Sequence, residues 1–266
     1  MIRIGTSGYS YDDWVGPFYP TDLKKSDWLE FYARHFDTTE LNFSYYRQPE
    51  AGMLERIAAK VPPGFVFTIK AFQGLTHERA EDNTGEFQTF VEALAPLIDQ
   101  GKFGCVLAQF PFSFHATPEN VDYLKVCRER FGDLAVVIEF RNRGWLTPAT
   151  FQFLREQRLG FCCVDEPRFS SLMPPVAEAT APVAYVRFHG RNAQKWWRHE
   201  HAYERYDYSY SDEELGEWVP KIETLAAEAQ TTFVFANNHF QGQAVTTARQ
   251  LAMLLGQAGS GLEARP

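Results

Sequence analysis

Short runs in which apolar and polar residues alternate recur along the chain, separated by longer stretches whose apolar residues repeat at helical spacing. The short runs occupy residues 2–6, 38–43, 65–71, 105–110, 136–141, 161–165, 183–189 and 233–238. Strands that alternate with helices predict a parallel sheet. Helix starts are marked in several places. Asn83-x-x-Glu86 precedes Phe87, Phe90, Val91, Leu94 and Ile98, which share one helical face. Thr117-Pro118 and Thr147-Pro148 each set a capping threonine before a proline suited to the first turn. Ser211-x-x-Glu214 reads as a capping box ahead of Leu215, Trp218, Val219, Ile222 and Leu225. The proline-rich stretch 167–182 predicts only a weak helix after strand six. Eight repeats in 266 residues predict an α/β protein, a single closed (β/α)8 barrel of TIM type over residues 1–255, with 256–266 as a flexible C-terminal tail. An open doubly wound sheet is the rival, but Gly5-Thr6-Ser7-Gly8 is not the glycine-rich phosphate turn that fold uses.

The alternation also sorts side chains by face. Leu41 and Phe43 oppose Glu40 and Asn42. Phe67 and Ile69 oppose Thr68 and Lys70. Ile138 and Phe140 oppose Glu139 and Arg141. Val186 and Phe188 oppose Arg187 and His189. In a barrel the first face meets the helices and the second points inward. The charges fall late in each strand, at the end where active sites of this fold sit. Gln109, Asp165 and Asn237 extend the ring from strands four, six and eight, with Asn238 beside it. An ion-pair network is the plain structural reading of such a ring. A ring confined to the strand ends more often marks a site.

Loops add His77, Trp145 and an aromatic run, Trp196, Trp197, Tyr206, Tyr208 and Tyr210, as expected walls of the pocket, with packing of the loop on its own hydrophobes an equal reading for the three tyrosines. Aromatic residues over a polar pocket suit stacking on a sugar or base.

Composition narrows the partners. The net charge is −8, which disfavours nucleic acid although a local basic pocket is compatible with it. Cys105, Cys127, Cys162 and Cys163 form no C-x-x-C pair and are expected as reduced core residues. No leader-like or membrane-spanning run is evident, so a cytoplasmic protein with no membrane partner is expected.

The leading functional expectation is a hydrolase-type enzyme, such as a phosphoesterase, acting on a small anionic or sugar-containing molecule. Lys70, Arg141 and Arg187 would hold the anion. Glu40 or Glu139 would be general base and His189 or His77 general acid, with Asp165 joining the catalytic set. Asn42, Gln109, Trp145, Trp196, Tyr208, Asn237 and Asn238 would complete substrate binding. Three alternatives are weighed. In a glycosidase, Glu40 and Glu139 would be the paired carboxylates, but the cations around them oppose the proton that one must keep. A metal-dependent, endonuclease-like hydrolase would use Glu40, Glu139, Asp165, His77 and His189. Lysine and arginine in the ring repel a divalent ion, so no cofactor is expected. In a nucleic-acid-binding module, Trp196, Trp197, Lys195, Arg198 and Arg205 would track a strand. His199-Glu200-His201 reads as surface charge rather than a metal site.

A set of short motifs also resembles the YecE-like family, a family of unknown function with a TIM-barrel fold. They are Ile4-Gly5-Thr6-Ser7-Gly8-Tyr9, Glu40-Leu41-Asn42, Lys70-Ala71 with Thr76-His77, Gln109-Phe110-Pro111, Glu139-Phe140-Arg141, Arg187-Phe188-His189-Gly190, Tyr206-Asp207-Tyr208-Tyr210 and Asn237-Asn238. The resemblance spans almost the whole chain and implies the barrel and the site location, but no reaction. Phe72-Gln73-Gly74 stands where the family usually has a proline, and Thr246-Thr247-Ala248 where an Asn-Ala pair is usual.

Overall fold

The computed structural model describes residues 1–257. Eight parallel strands close into a barrel in sequence order: β1 (Ile2–Ser7), β2 (Thr38–Leu41), β3 (Val66–Lys70), β4 (Phe103–Gln109), β5 (Val136–Glu139), β6 (Gly160–Asp165), β7 (Val183–Phe188) and β8 (Thr231–Ala236). β8 pairs with β1, Ile2 opposite Thr232, so the sheet has no free edge. The main helices behind the strands are α1 (Trp28–Tyr32), α2 (Phe43–Tyr46), α3 (Ala51–Ala58), α4 (Thr84–Ala93), α5 (Ala95–Asp99), α6 (Pro118–Phe131), α7 (Pro148–Glu156), α8 (Asp212–Gly216), α9 (Val219–Glu228) and α10 (Gln243–Leu254). Between β6 and β7 no helix forms, and the proline-rich segment crosses in irregular turns.

Several local signals act as their residues dictate. Thr117 and Thr147 accept hydrogen bonds from the backbone N–H of Asn120 and Thr150, capping α6 and α7. Ser211 and Glu214 make both bonds of a capping box at α8. Others are redirected by tertiary structure. Asn83 caps nothing, because its Oδ1 accepts from Arg130 while its Nδ2 donates to Tyr123 Oη and the Gly74 carbonyl. The helix expected to run through Ile98 breaks at Leu94, and Pro96 lies in the first turn of its continuation α5. The break rotates Ile98 outward, where it is 43% exposed, and turns Leu97 into the core.

α10 ends on Gly256 in the left-handed conformation. The Gly256 N–H bonds to the Met253 carbonyl and the Gln257 N–H to that of Ala252. The first two residues of the expected tail thus close the last helix, and the remainder, 258–266, lies outside the described residues. All four cysteines are free and buried, and burial pushes the Cys127 and Cys163 thiols up to about 12. No helix among the described residues is long and apolar enough to cross a membrane.

Phe43 departs from the face expected of it. The chain leaves β2 after Leu41 and turns at Asn42 into the one-turn helix α2, which swings Phe43 into the wall of a cavity at the strands' C-terminal ends.

Candidate functional site

That cavity holds about 440 Å³. Its charged walls are Glu40, Lys70, Arg141 and Arg187, brought together from the ends of β2, β3, β5 and β7. Asn42, Gln109 and Asn237 also line it. The expected ring therefore converges, with two layers. The cations and Glu40 face the cavity. Glu139 and His189 are fully buried and do not line it.

Arg187 is the hinge of the network. Its Nη1 donates to Glu139 Oε2 and its Nη2 to Glu40 Oε1, each at 2.7 Å. Tyr185, two residues earlier on the same inward face, donates to Glu40 Oε2 at 2.7 Å and meets Thr68 Oγ1 at 2.8 Å. Arg141 Nη2 lies 2.8 Å from Glu139 Oε1 and its Nη1 donates to Glu166 Oε2 at 3.1 Å. His189 Nε2 also lies 3.2 Å from Glu139 Oε1. Neither Arg141 nor His189 directs an N–H along a hydrogen-bonding line to Oε1, so these two are charge and dipole contacts rather than formed hydrogen bonds. Asn237 Nδ2, placed to donate, lies 2.9 Å from His189 Nδ1, which puts the histidine proton on Nε2.

These contacts set the protonation states. Burial would raise the Glu139 carboxyl, but Arg141, Arg187 and His189 outweigh it and hold it well below the usual range. Burial, with Arg141 next, pushes His189 down to about 3. His77, in a π-helical turn after β3, is lowered to about 4 by burial and then by Lys70 and Arg141. Both imidazoles are neutral near pH 7 and have no proton to give as the acids expected from their unperturbed chemistry. Burial, then Arg187, brings Lys70 down to about 7. Its Nζ sits 4.2 Å from the centroid of the Tyr45 ring, with no carboxylate within ion-pair reach among the described residues.

Other expected site residues lie elsewhere. Asp165 points out of the barrel. It receives Nε and Nη2 of Arg191, Tyr210 Oη and Trp218 Nε1, each at 2.8 Å, which fills its acceptor sites with structural partners. The inward carboxylate of strand six is its neighbour Glu166, unforeseen from sequence. Burial raises Glu166 to about 7 despite Arg141, and it accepts the Met173 N–H. Trp145 is buried between Phe114 and Phe140, its Nε1 donating to the Phe114 carbonyl at 2.6 Å. Trp196 is buried beneath Arg205 and offers no free ring face to a ligand. Tyr208 donates to Glu214, and Asn238 donates to Tyr208 and Thr247. None of these lines the cavity. The aromatic walls are instead Tyr9, Tyr11, Tyr45, Tyr46 and Tyr206, with His239 stacked on Tyr11 at 4.6 Å. Of these, only Tyr206 is legible as a loop aromatic; Tyr9 and Tyr11 follow β1 in a loop whose course is not encoded locally. The exposed Lys195 pairs with Glu204, which leaves less free charge on the loop expected to track nucleic acid.

The donors weighed for a metal do not converge. Among the described residues no group of three or more His, Cys, Asp or Glu side chains is arranged to hold an ion. Glu139 and His189 are neighbours, but Asp165 faces the opposite side of the wall.

A closed eight-stranded parallel barrel with a mixed-charge cavity at its C-terminal rim is the architecture of the TIM-barrel proteins. Within that class, a model of the family described as "Protein of unknown function DUF72" matches residues 3–266, and the chain belongs to this family. It is 35% identical over 284 residues to the UPF0759 protein YunF of Bacillus subtilis (strain 168), covering 100% of this chain and 98% of that protein. Its fold matches a DUF72 family protein of Thermotoga maritima MSB8 with a TM-score of 0.89 at 39% identity, covering 96% of this chain and 99% of the other. A DUF72 family protein of Enterococcus faecalis V583 gives 0.85 at 30% identity, covering 96% of each. The family resemblance read from the motifs carries a different name but the same content, a barrel family of unknown function.

Proposed function

We propose that the cavity is the binding site of an enzyme for a small phosphorylated or otherwise anionic molecule bearing hydroxyl groups, such as a sugar phosphate. The observation that carries this reading is the charge of the wall. Three cationic side chains and one carboxylate face the cavity in a chain whose net charge is −8, while Glu139 and Glu166 sit behind the cations. Two details support it. Asn42 Oδ1 is buried without a hydrogen-bond partner on the cavity wall, an acceptor that a ligand hydroxyl would satisfy. The Tyr11–His239 stack and Tyr45 give apolar faces suited to a sugar ring.

The same geometry bears on the reaction. Hydrolysis with histidine as acid draws no support from imidazoles held near 3 and 4. A glycosidic bond between Glu40 and Glu139 would need the space that the Arg187 guanidinium fills.

Calorimetric titration with ribose 5-phosphate, and with ribose as the uncharged control, tests the binding reading. Binding of the phosphate ester alone is expected, and Lys70→Met should weaken it roughly 10–100-fold, the worth of one charge-assisted hydrogen bond. Equal binding of ribose, or affinity unaltered in Lys70→Met, would overturn it.

A further inference from the structure

Lys70, half-buried at the end of β3, is placed unlike the other sequestered cations of the barrel. Lys102, which is buried, is committed: its Nζ donates to the carbonyls of Ala58 and Val61. Arg187 and Arg141 are each fixed between two carboxylates. Lys70 Nζ has no hydrogen-bond acceptor and no ion pair among the described residues, and its only close partner is the face of Tyr45. It nonetheless lines the cavity beside two guanidinium groups. A group held only to bind an anion has no need to shed its proton, and arginine would serve better. A partly desolvated lysine next to other cations, open to a cavity and free of hydrogen bonds, has the placement of an amine nucleophile.

We propose that Lys70 Nζ condenses reversibly with the carbonyl carbon of an anionic aldehyde or ketone held in this cavity, forming an imine. The proposal rests on the anion-binding reading above and names its substrate class, a phosphorylated or carboxylated carbonyl compound. The neutral amine's lone pair attacks the carbonyl carbon, a C–N bond forms, and the carbonyl oxygen takes up the proton that the nitrogen gives up. The C–O bond of this carbinolamine then breaks, and the oxygen departs as water with a second proton. Starting from the ammonium form, the lysine ammonium and the carbonyl compound give a protonated imine and one water. Charge is conserved, and no oxidant or reductant enters. Arg141 and Arg187 remain to hold the anionic group, and Glu40, on the strand next to that of Lys70, is the one carboxylate among the cavity's lining residues. The depressed Lys70 value of about 7 supplies neutral amine at physiological pH, where an ordinary lysine supplies almost none. The iminium acidifies the adjacent C–H, which points to carbon–carbon or proton-transfer chemistry at this centre rather than hydrolysis.

Dihydroxyacetone phosphate is a suitable probe, with sodium borohydride as trap and glycerol 3-phosphate as an analogue that binds but has no carbonyl. Intact-mass and peptide analysis should find one reduced adduct per chain, on Lys70, saturable and suppressed by glycerol 3-phosphate. Trapping should rise with pH around a midpoint near 7 rather than near the value of exposed lysines. Lys70→Arg, which keeps the positive charge, should bind glycerol 3-phosphate and lose the adduct. If glycerol 3-phosphate binds the native protein and no adduct is trapped, or the adducts scatter over surface lysines, imine formation is overturned and the anion site stands. If neither phosphate ester binds, both readings fall together.

Discussion

Replacing Glu139 with glutamine separates a network that holds the barrel together from one that only performs chemistry. The change keeps the shape of the side chain and removes one charge from a fully buried position. Oε2 accepts from Arg187 and Oε1 lies 2.8 Å from an Arg141 nitrogen, so either orientation of the amide turns its NH2 toward a guanidinium. Donor then faces donor, and two arginines lose their common counter-charge. Breaking a buried ion pair by neutralising one partner costs about 3–5 kcal/mol. At about 2 °C per kcal/mol for a chain of this length, the melting temperature should fall by roughly 6–10 °C. Urea and thermal unfolding followed by circular dichroism would measure the loss. The Glu139 carboxyl is lower in the folded than in the unfolded chain, so its stabilisation is present above its unfolded value of 4.5 and is lost as pH falls below it. The gap between wild type and variant should therefore be full near neutrality and close in acid. A change under about 1 kcal/mol at neutral pH, or a gap that persists in acid, would refute the network as described.

Asp165→Asn should lower stability by about 3–5 kcal/mol by the same logic, because the buried carboxylate holds the Arg191 guanidinium, Tyr210 and Trp218. Ribose 5-phosphate affinity of the folded variant should match wild type, which titration calorimetry would check. His189→Gln tests the neutral imidazole. The histidine value is about 3 in the folded chain against 6.5 unfolded, so the unfolded state binds more protons between those pH values and wild type loses stability as pH falls through them. That loss reaches about 1.4 kcal/mol per pH unit, and the glutamine variant should lack it. Identical acid dependence of the urea midpoints in the two proteins would show that His189 is not held neutral.

The barrel is legible because its signals are redundant. Eight alternating runs must pair somewhere, and closure of β8 on β1 leaves every run matched. Errors cluster at the ends of elements, where one residue decides the outcome. Pro96 breaks a helix that periodicity alone carries through Ile98, and the turn at Asn42 ends a strand two residues before its hydrophobic pattern stops. Trp145 shows a different limit. Nothing local distinguishes a loop tryptophan that walls a cavity from one clamped between Phe114 and Phe140, because Phe114, which closes the clamp and accepts the indole N–H, lies 31 residues away.

Strand six shows how much one step of parity matters to the chemistry. On β2, β3, β5 and β7 the inward face is marked by charged residues two apart or by a charge opposite clear hydrophobes, and Glu40, Lys70, Glu139, Arg141, Arg187 and His189 all converge as that pattern demands. On β6 the neighbours Cys162 and Cys163 are equally apolar and give no such marker. Cys162 lies 3.9 Å from Glu139 Oε2, which fixes it inside. Alternation then sends Asp165 out to Arg191 and Trp218 and brings Glu166 in to Arg141. The consequence is electrostatic. Asp165 shares its charge with Arg191, outside the barrel. The carboxyl inside, on Glu166, is held near 7 and is only partly ionised at neutral pH. Arg141 thus keeps more of its positive charge uncompensated toward the cavity than a permanently ionised partner would leave it. Beside it, Lys70 has no carboxylate partner at all among the described residues. Which of two adjacent acids faces inward therefore sets how far Arg141, already paired with Glu139, is neutralised at the cavity wall.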